Sequence, residues 1–198
     1  MESSVQFLVP VLAFVFTFLL IPVQIRLLTK LELYDSQKEH KIHNSYTPSM
    51  AGIAIFAGVL VALLIAMPLS EWVKLKYFFI GTSLMFFIGL RDDILGLSPI
   101  KKLISQLLPI FIIVFFGKLS LGSSFLGVPS PNVSPWIVFV LVVVAFVLIT
   151  NAYNLIDGLD GLAGVTGVIV LSFFGVWFFI AGESYLSLIA LSVVGSIL

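Results

Sequence analysis

Cysteine is absent from this 198-residue chain, which removes disulfides, thiolate metal centres and cysteine nucleophiles from consideration. Charge is scarce. Lys, Arg, Asp and Glu make up 10% of the residues and balance to a formal net charge of zero. They form no basic stripe, so no nucleic-acid partner is expected. A soluble domain carries roughly a quarter charged residues, and this chain has too little polar surface to coat a globule in water. What it has in abundance is apolar: 60% of residues, with a mean hydropathy of +1.20.

Lipid is the solvent that fits. A helix needs about 20 apolar residues to cross the hydrocarbon, and backbone groups there must pair internally, as in helices or closed barrels. Unbroken apolar runs rather than strict alternation select helices. The chain is therefore expected to be an all-α, polytopic transmembrane helix bundle forming a single integral membrane domain over residues 1–198. Spans are expected near 5–25, 48–69, 73–90, 99–116, 136–150 and 162–181, with a seventh beginning near 185 and cut short at Leu198. The first run follows Glu2 without a basic n-region and is too long for a signal h-region, so it reads as a retained helix. Residues 117–135, rich in Gly, Ser and Pro, read as an irregular hairpin or turn segment.

If every span crosses once, alternate loops share a face. One face receives Arg26, Lys30, Lys38, Lys41, Arg91, Lys101 and Lys102; the other receives Lys74, Lys76 and Lys118. The positive-inside rule makes the first face cytoplasmic. Trp72, Tyr77 and Trp136 fall near the outer boundary, where an aromatic belt belongs. The same parity sends every unusual polar cluster to the cytoplasmic face, although the basic residues alone did not require this of the acidic ones.

Three clusters stand out there. Asp92 and Asp93 follow an apolar stretch directly. Adjacent carboxylates at a membrane boundary repel unless water, a cation or a base compensates, so they read either as a magnesium- or phosphate-handling pair or as a solvated loop pair neutralised by Arg91. Ser98 and Pro99 suit the start of the next helix. Its Lys102 either snorkels to headgroups or holds a lipid phosphate, with Pro109 able to kink the helix and open a groove. The third cluster is the most informative: Asn151, Asn154, Asp157 and Asp160 recur at steps of three between apolar residues. Such neighbours share one side of a helix end, and their oxygens are the hard donors magnesium takes. The plainer alternative is a helix-ending turn with polar caps. In the first cytoplasmic loop, Lys41 and His43 suit a diphosphate or a merely solvated basic loop. The glycines at 58, 81, 89, 164 and 167 read as close-packing positions, and the nineteen phenylalanines as packing or lipid-facing residues.

Taken together, Lys41-Ile42-His43 through Thr47-Pro48 and Gly52, Asp92-Asp93 through Leu97, Lys102 and Gln106, and Asn151 through Ala163 resemble the polyprenyl-phosphate N-acetylhexosamine-1-phosphate transferases. The resemblance covers most of the chain. It implies a bacterial cytoplasmic-membrane enzyme with its active-site loops in the cytoplasm. A polyprenyl phosphate would attack a UDP-sugar with the help of Mg2+ (Mn2+ being the alternative), releasing UMP and leaving a lipid-diphosphate sugar for cell-wall or surface polysaccharide synthesis. It implies catalytic roles for Asp92, Asp93, Asp157 and Asp160. Substrate contacts fall to Lys41, His43, Lys102, Asn151, Asp157 and Asp160, and a metal ligand to Asn154. The compact Asp-Asp-Ile-Leu-Gly-Leu-Ser-Pro spacing looks more like the N-acetylglucosamine branch than the muramoyl-pentapeptide branch. Ser49 and Ala51 depart from the Arg and Gly of many relatives. The resemblance also implies further helices, a Gly-Asp motif and a basic His-containing loop beyond Leu198. The chain alone is therefore expected to lack normal turnover, with a homodimer or a separate C-terminal half as candidate partners. A transporter or a catalytically silent interaction module are the competing functions. A transporter would place polar residues at mid-span and on both faces.

Overall fold

A computed structural model describes residues 3–31, 50–117, 124–125, 128–129, 134–157 and 161–198. Helices dominate: α1 (Ser3–Lys30), α2 (Gly52–Ala66), α3 (Leu69–Lys74), α4 (Lys76–Leu95), α5 (Pro99–Phe111), α6 (Pro135–Ile156), α7 (Leu162–Ile180) and α8 (Ser184–Ile197). A wide π-helical turn, Ile112–Phe116, prolongs α5. A minimal antiparallel pair, β1 (Ser124–Phe125) with β2 (Val128–Pro129), sits in the expected hairpin segment. Among the described residues, four stretches are long and apolar enough to cross a membrane: Leu8–Lys30, Pro99–Phe116, Phe139–Ile156 and Leu162–Ile180. This is an all-α membrane helix bundle, whose large apolar side chains, such as Phe18, Phe87, Leu148 and Phe173, are widely exposed as lipid-facing residues should be.

The chain forms two compact units, 1–69 with 164–198, and 70–163. In the first, small residues let helices approach closely, since lipid supplies no hydrophobic drive between them and packing must. A Cβ on Gly58 would lie 2.1 Å from Thr17 Oγ1, and one on Gly195 would lie 2.0 Å from the Pro10 carbonyl oxygen. The Ser187 hydroxyl, fully buried, donates to the Gly175 carbonyl at 2.7 Å and ties α8 to α7. Ahead of α2, Met50 adopts a left-handed φ of 88°, and the Gln24 amide donates to its carbonyl.

In the second unit, Gly81 allows α4 and α5 to meet: a Cβ there would lie 2.3 Å from Ile113 Cγ1 and 3.0 Å from the Pro109 carbonyl oxygen. Pro109 does not end its helix. The ladder instead widens after it, and Gly117 N–H reaches the Ile112 carbonyl at 3.3 Å. One end of this unit is aromatic. Tyr77 stacks on Phe116 with centroids 5.6 Å apart, Trp72 on Phe79 at 4.1 Å, and Trp136 meets Phe139 edge-on at 6.2 Å.

Helix limits correct the sequence reading at three places. The expected span 73–90 is broken at Leu75 into α3 and α4, and α4 runs on to Leu95. Arg91, Asp92 and Asp93 therefore form the last helical turns beyond the apolar span, not a loop. Gly96, at φ +63°, stops the helix in the left-handed region that glycine enters without strain. Ser98 occupies the N-cap position of α5, but its hydroxyl makes no capping bond; Pro99 at the first turn sets the start instead. Finally, α6 extends past the expected limit of 150 to Ile156, so Asn151 and Asn154 are helical.

Candidate active site

The second unit gathers polar chemistry at the end away from its aromatic cluster. The C-terminal ends of α4 and α6 and the N-terminal end of α5 enclose an open cleft. From α4 come Met85, Ile88 and Gly89 as one wall, then Asp92 and Asp93; from α5, Lys102 and Gln106; from α6, Thr150, Tyr153 and Asn154, with Asp157 at its cap. Three short-range interactions hold these ends together.

Lys102 is the junction. Its Nζ lies 2.6 Å from Asp92 Oδ2 and donates to Asn154 Oδ1 at 2.7 Å, joining α5 to both neighbours. The two partners are shielded, with side-chain exposures of 17% for Asp92 and 20% for Lys102, so this pair is less screened than a surface ion pair. On its other oxygen, Asp92 accepts the Leu97 backbone N–H at 2.9 Å. Burial alone would push the Asp92 carboxyl up. The Lys102 hydrogen bond, the Leu97 N–H and the Lys102 charge outweigh it and hold the carboxyl below its ordinary value. Asp92 is therefore an ionised acceptor near neutral pH.

A turn deeper, Gln106 is buried at 3% exposure and accepts the Asn151 side-chain N–H at 3.0 Å. The same Asn151 amide donates to the Val147 carbonyl at 2.8 Å. The Gln106 bond satisfies the carbonyl oxygen of a buried amide, whose loss of a partner would cost about 1–3 kcal/mol. At the mouth, the Tyr153 hydroxyl donates to the Ala163 carbonyl at 2.5 Å, bridging the end of α6 to the start of α7.

The structure thus brings Asp92, Asp93, Lys102, Asn154 and Asp157 to one cleft, with Asn151 bonded behind it. Lys41, His43 and Asp160 lie outside the described residues. Gly89 was expected to be a packing glycine, yet a Cβ there would meet nothing within 4 Å, and it borders the cleft instead. Met85, Ile88, Thr150 and Tyr153 carry no sequence signal that separates them from ordinary helix residues. Gln106 had one: an amide in an otherwise apolar turn, one turn after Lys102.

Among the described residues no three His, Cys, Asp or Glu side chains group as a metal site. A hard divalent ion needs fewer. Magnesium is commonly held by one or two protein oxygens with phosphates and water completing the shell. Asn154 Oδ1 and Asp92 Oδ2 both face a single cation, the Lys102 ammonium, so the donor set fits such an ion.

Fold and cleft define a polytopic membrane protein with an anionic site, bridged by one lysine, at one end of its helices. The chain belongs to glycosyl transferase family 4, whose sequence model matches residues 75–198. It is 32% identical over 201 residues to a probable undecaprenyl-phosphate N-acetylglucosaminyl 1-phosphate transferase of Bacillus subtilis, covering 100% of this chain and 55% of that protein. It is also 32% identical over 205 residues to a phospho-N-acetylmuramoyl-pentapeptide-transferase of Clostridium botulinum, covering 94% of this chain and 62% of the relative. A third, of the same description from Halalkalibacterium halodurans, is 32% identical over 219 residues, with coverages of 100% and 66%. The chain thus spans between 55% and 66% of the length of these curated relatives.

Proposed function

We propose that this chain carries the phosphoryl-transfer core of a polyprenyl-phosphate N-acetylhexosamine-1-phosphate transferase of a bacterial cytoplasmic membrane, with the cleft on the cytoplasmic side. One observation carries the reading: Lys102 joins the Asp92 carboxylate to the Asn154 amide oxygen across three helix ends. Phosphoryl transfer asks a protein for alignment and charge neutralisation more than for covalent chemistry. A lysine, three carboxylates and an amide at a water-facing helix end supply both.

In the proposed reaction, a phosphate oxygen of the polyprenyl phosphate forms a bond to the β-phosphorus of a UDP-sugar. The bond from that phosphorus to the bridging oxygen breaks, and UMP leaves with the electron pair. Lys102 receives the lipid phosphate. Asp92, ionised and fixed by Leu97 N–H, orients Lys102 and the incoming phosphate, with Asp93 beside it. A weakly basic carboxylate is a poor proton acceptor, so positioning is its main role. Asn154 is the proposed magnesium ligand, with Asp157 a turn further on. Magnesium held there would neutralise charge gathering on the diphosphate. Asp160, Lys41 and His43 are assigned to the nucleotide-sugar side, with Asn151, bonded to Gln106 behind the cleft, supporting it from the α6 end. The compact spacing from Asp92 to Pro99 favours N-acetylglucosamine 1-phosphate as the group transferred; the relatives' names divide between that group and phospho-N-acetylmuramoyl-pentapeptide.

Lipid binding tests this reading on the chain as it stands. In nanodiscs analysed by native mass spectrometry, the chain should retain undecaprenyl phosphate at least tenfold better than undecaprenol. Lys102→Met should reduce that preference to near unity. Equal retention of the two lipids by the unmodified chain would refute the phosphate site.

A further inference from the structure

The cleft's own cation sits between Asp92 and Asn154, on oxygens that an added cation could use. Among the described lining residues, Lys102 is the single base against Asp92, Asp93 and Asp157. Its Nζ takes both Asp92 Oδ2, at 2.6 Å, and Asn154 Oδ1, at 2.7 Å. A magnesium ion would need those oxygens at about 2.0–2.1 Å. Sharing Asn154 Oδ1 with an ammonium already in hydrogen-bond contact is disfavoured, because the two cations repel at close range.

The surroundings let the ammonium leave without disturbing the rest. The Lys102 backbone is anchored twice: its N–H donates to the Ser98 carbonyl at 2.9 Å, and its own carbonyl accepts the Ser105 hydroxyl at 2.8 Å. Only the four-carbon stem need move. Asp92 keeps its place through the Leu97 N–H on the opposite oxygen. A phosphate offers the ammonium a more highly charged acceptor than an amide does.

We infer that Lys102 is an internal counter-ion that occupies the divalent-cation position between Asp92 and Asn154 and vacates it when a lipid phosphate arrives. The inference rests on the proposed function and adds its regulation: metal and phosphate bind cooperatively, each strengthening the other by one common factor. Metal loading of the phosphate-free protein is weak, which limits unproductive binding of the ion at an open cleft.

The test is Mn2+ binding by electron paramagnetic resonance, on the whole chain in nanodiscs containing either undecaprenol or undecaprenyl phosphate. With undecaprenol, Lys102→Met and Lys102→Gln should each bind Mn2+ at least tenfold more tightly than the unmodified chain. Undecaprenyl phosphate should tighten Mn2+ binding to the unmodified chain and leave Lys102→Met unchanged. Two lysine variants guard against a folding defect in either, and their thermal melts are recorded alongside. If both fold and neither binds Mn2+ more tightly, the counter-ion role is wrong. An Asn154→Ala arm separates the failures. If it weakens Mn2+ binding while the lysine variants fail to tighten it, only this inference falls. If it leaves binding unchanged in every background, the metal site of the proposed function falls too.

Discussion

The Asp92–Lys102 contact can be weighed by a double-mutant cycle, with Asp92→Ala and Lys102→Ala made singly and together. Exposed ion pairs are worth about 0.2–1 kcal/mol, whereas removing one partner of a fully buried pair costs about 3–5 kcal/mol. With side-chain exposures of 17% and 20%, this pair lies between those limits. Neither partner is stranded by the loss of the other, because Lys102 keeps Asn154 and Asp92 keeps the Leu97 N–H. Each single variant should therefore lose about 1–3 kcal/mol, the range for a charge-assisted bond. The double variant should lose about 1–2 kcal/mol less than the sum. For a chain of this length that coupling corresponds to about 2–8 °C in the melt. Acid should act like Asp92→Ala. Because the folded carboxyl is held below the ordinary value of about 3.9, its contribution is complete above that pH and is lost as pH falls through the lower folded value. The coupling should persist at pH 5 and fade only below about pH 4. Thermal unfolding in detergent across this pH series is the assay. Losses that add to within about 0.3 kcal/mol at pH 7 would show that the contact contributes nothing.

Two further substitutions probe the scaffold. Gly195→Ala drives a Cβ to 2.0 Å from the Pro10 carbonyl oxygen, a backbone atom that cannot swing aside, and should cost about 1–3 kcal/mol in a detergent melt. Gly52→Ala, with nothing within 4 Å, should leave the melt unchanged or slightly raised, and equal effects at the two positions would discredit the packing assignment. Tyr153→Phe removes the bond to the Ala163 carbonyl and should speed amide exchange in the first turn of α7; unaltered exchange there would mean that the hydroxyl does not brace the start of that helix.

Much of this organisation is legible in the residues alone, and the gaps have physical causes. Long apolar runs announce the helices because a backbone in lipid must pair internally and an unbroken run lacks the alternation of a barrel strand. Loop parity sends Asp92, Lys102 and Asn154 to one end. Which atoms touch could not be read, because the contact depends on α4 continuing to Leu95 and bringing the Asp92 carboxylate within reach of α5. An apolar-run criterion stops α4 at the first charge, whereas a helix held by its own ladder and a terminal glycine does not. Gly58 and Gly81 behave as packing glycines and Gly89 does not, though nothing local distinguishes the three. The difference lies in what stands opposite. Pro109 is able to kink its helix, and the widened π-helical turn that follows it, opposite Gly81, was not legible in the sequence.

The direction of the helices around the cleft has its own electrostatic outcome. Of the three helices that line the cleft, α4 and α6 present carboxyl termini and α5 an amino terminus, while the start of α7 meets the mouth through Ala163. Peptide dipoles leave about half a negative charge at each of the first two ends and about half a positive charge at the third. Among the three lining helices, the backbone ends therefore weigh toward a cation on the α4 and α6 side and toward an anion at the start of α5. On the proposed function, a diphosphate would meet its favourable backbone end at α5, and a metal travelling with it would meet the carboxyl ends of α4 and α6.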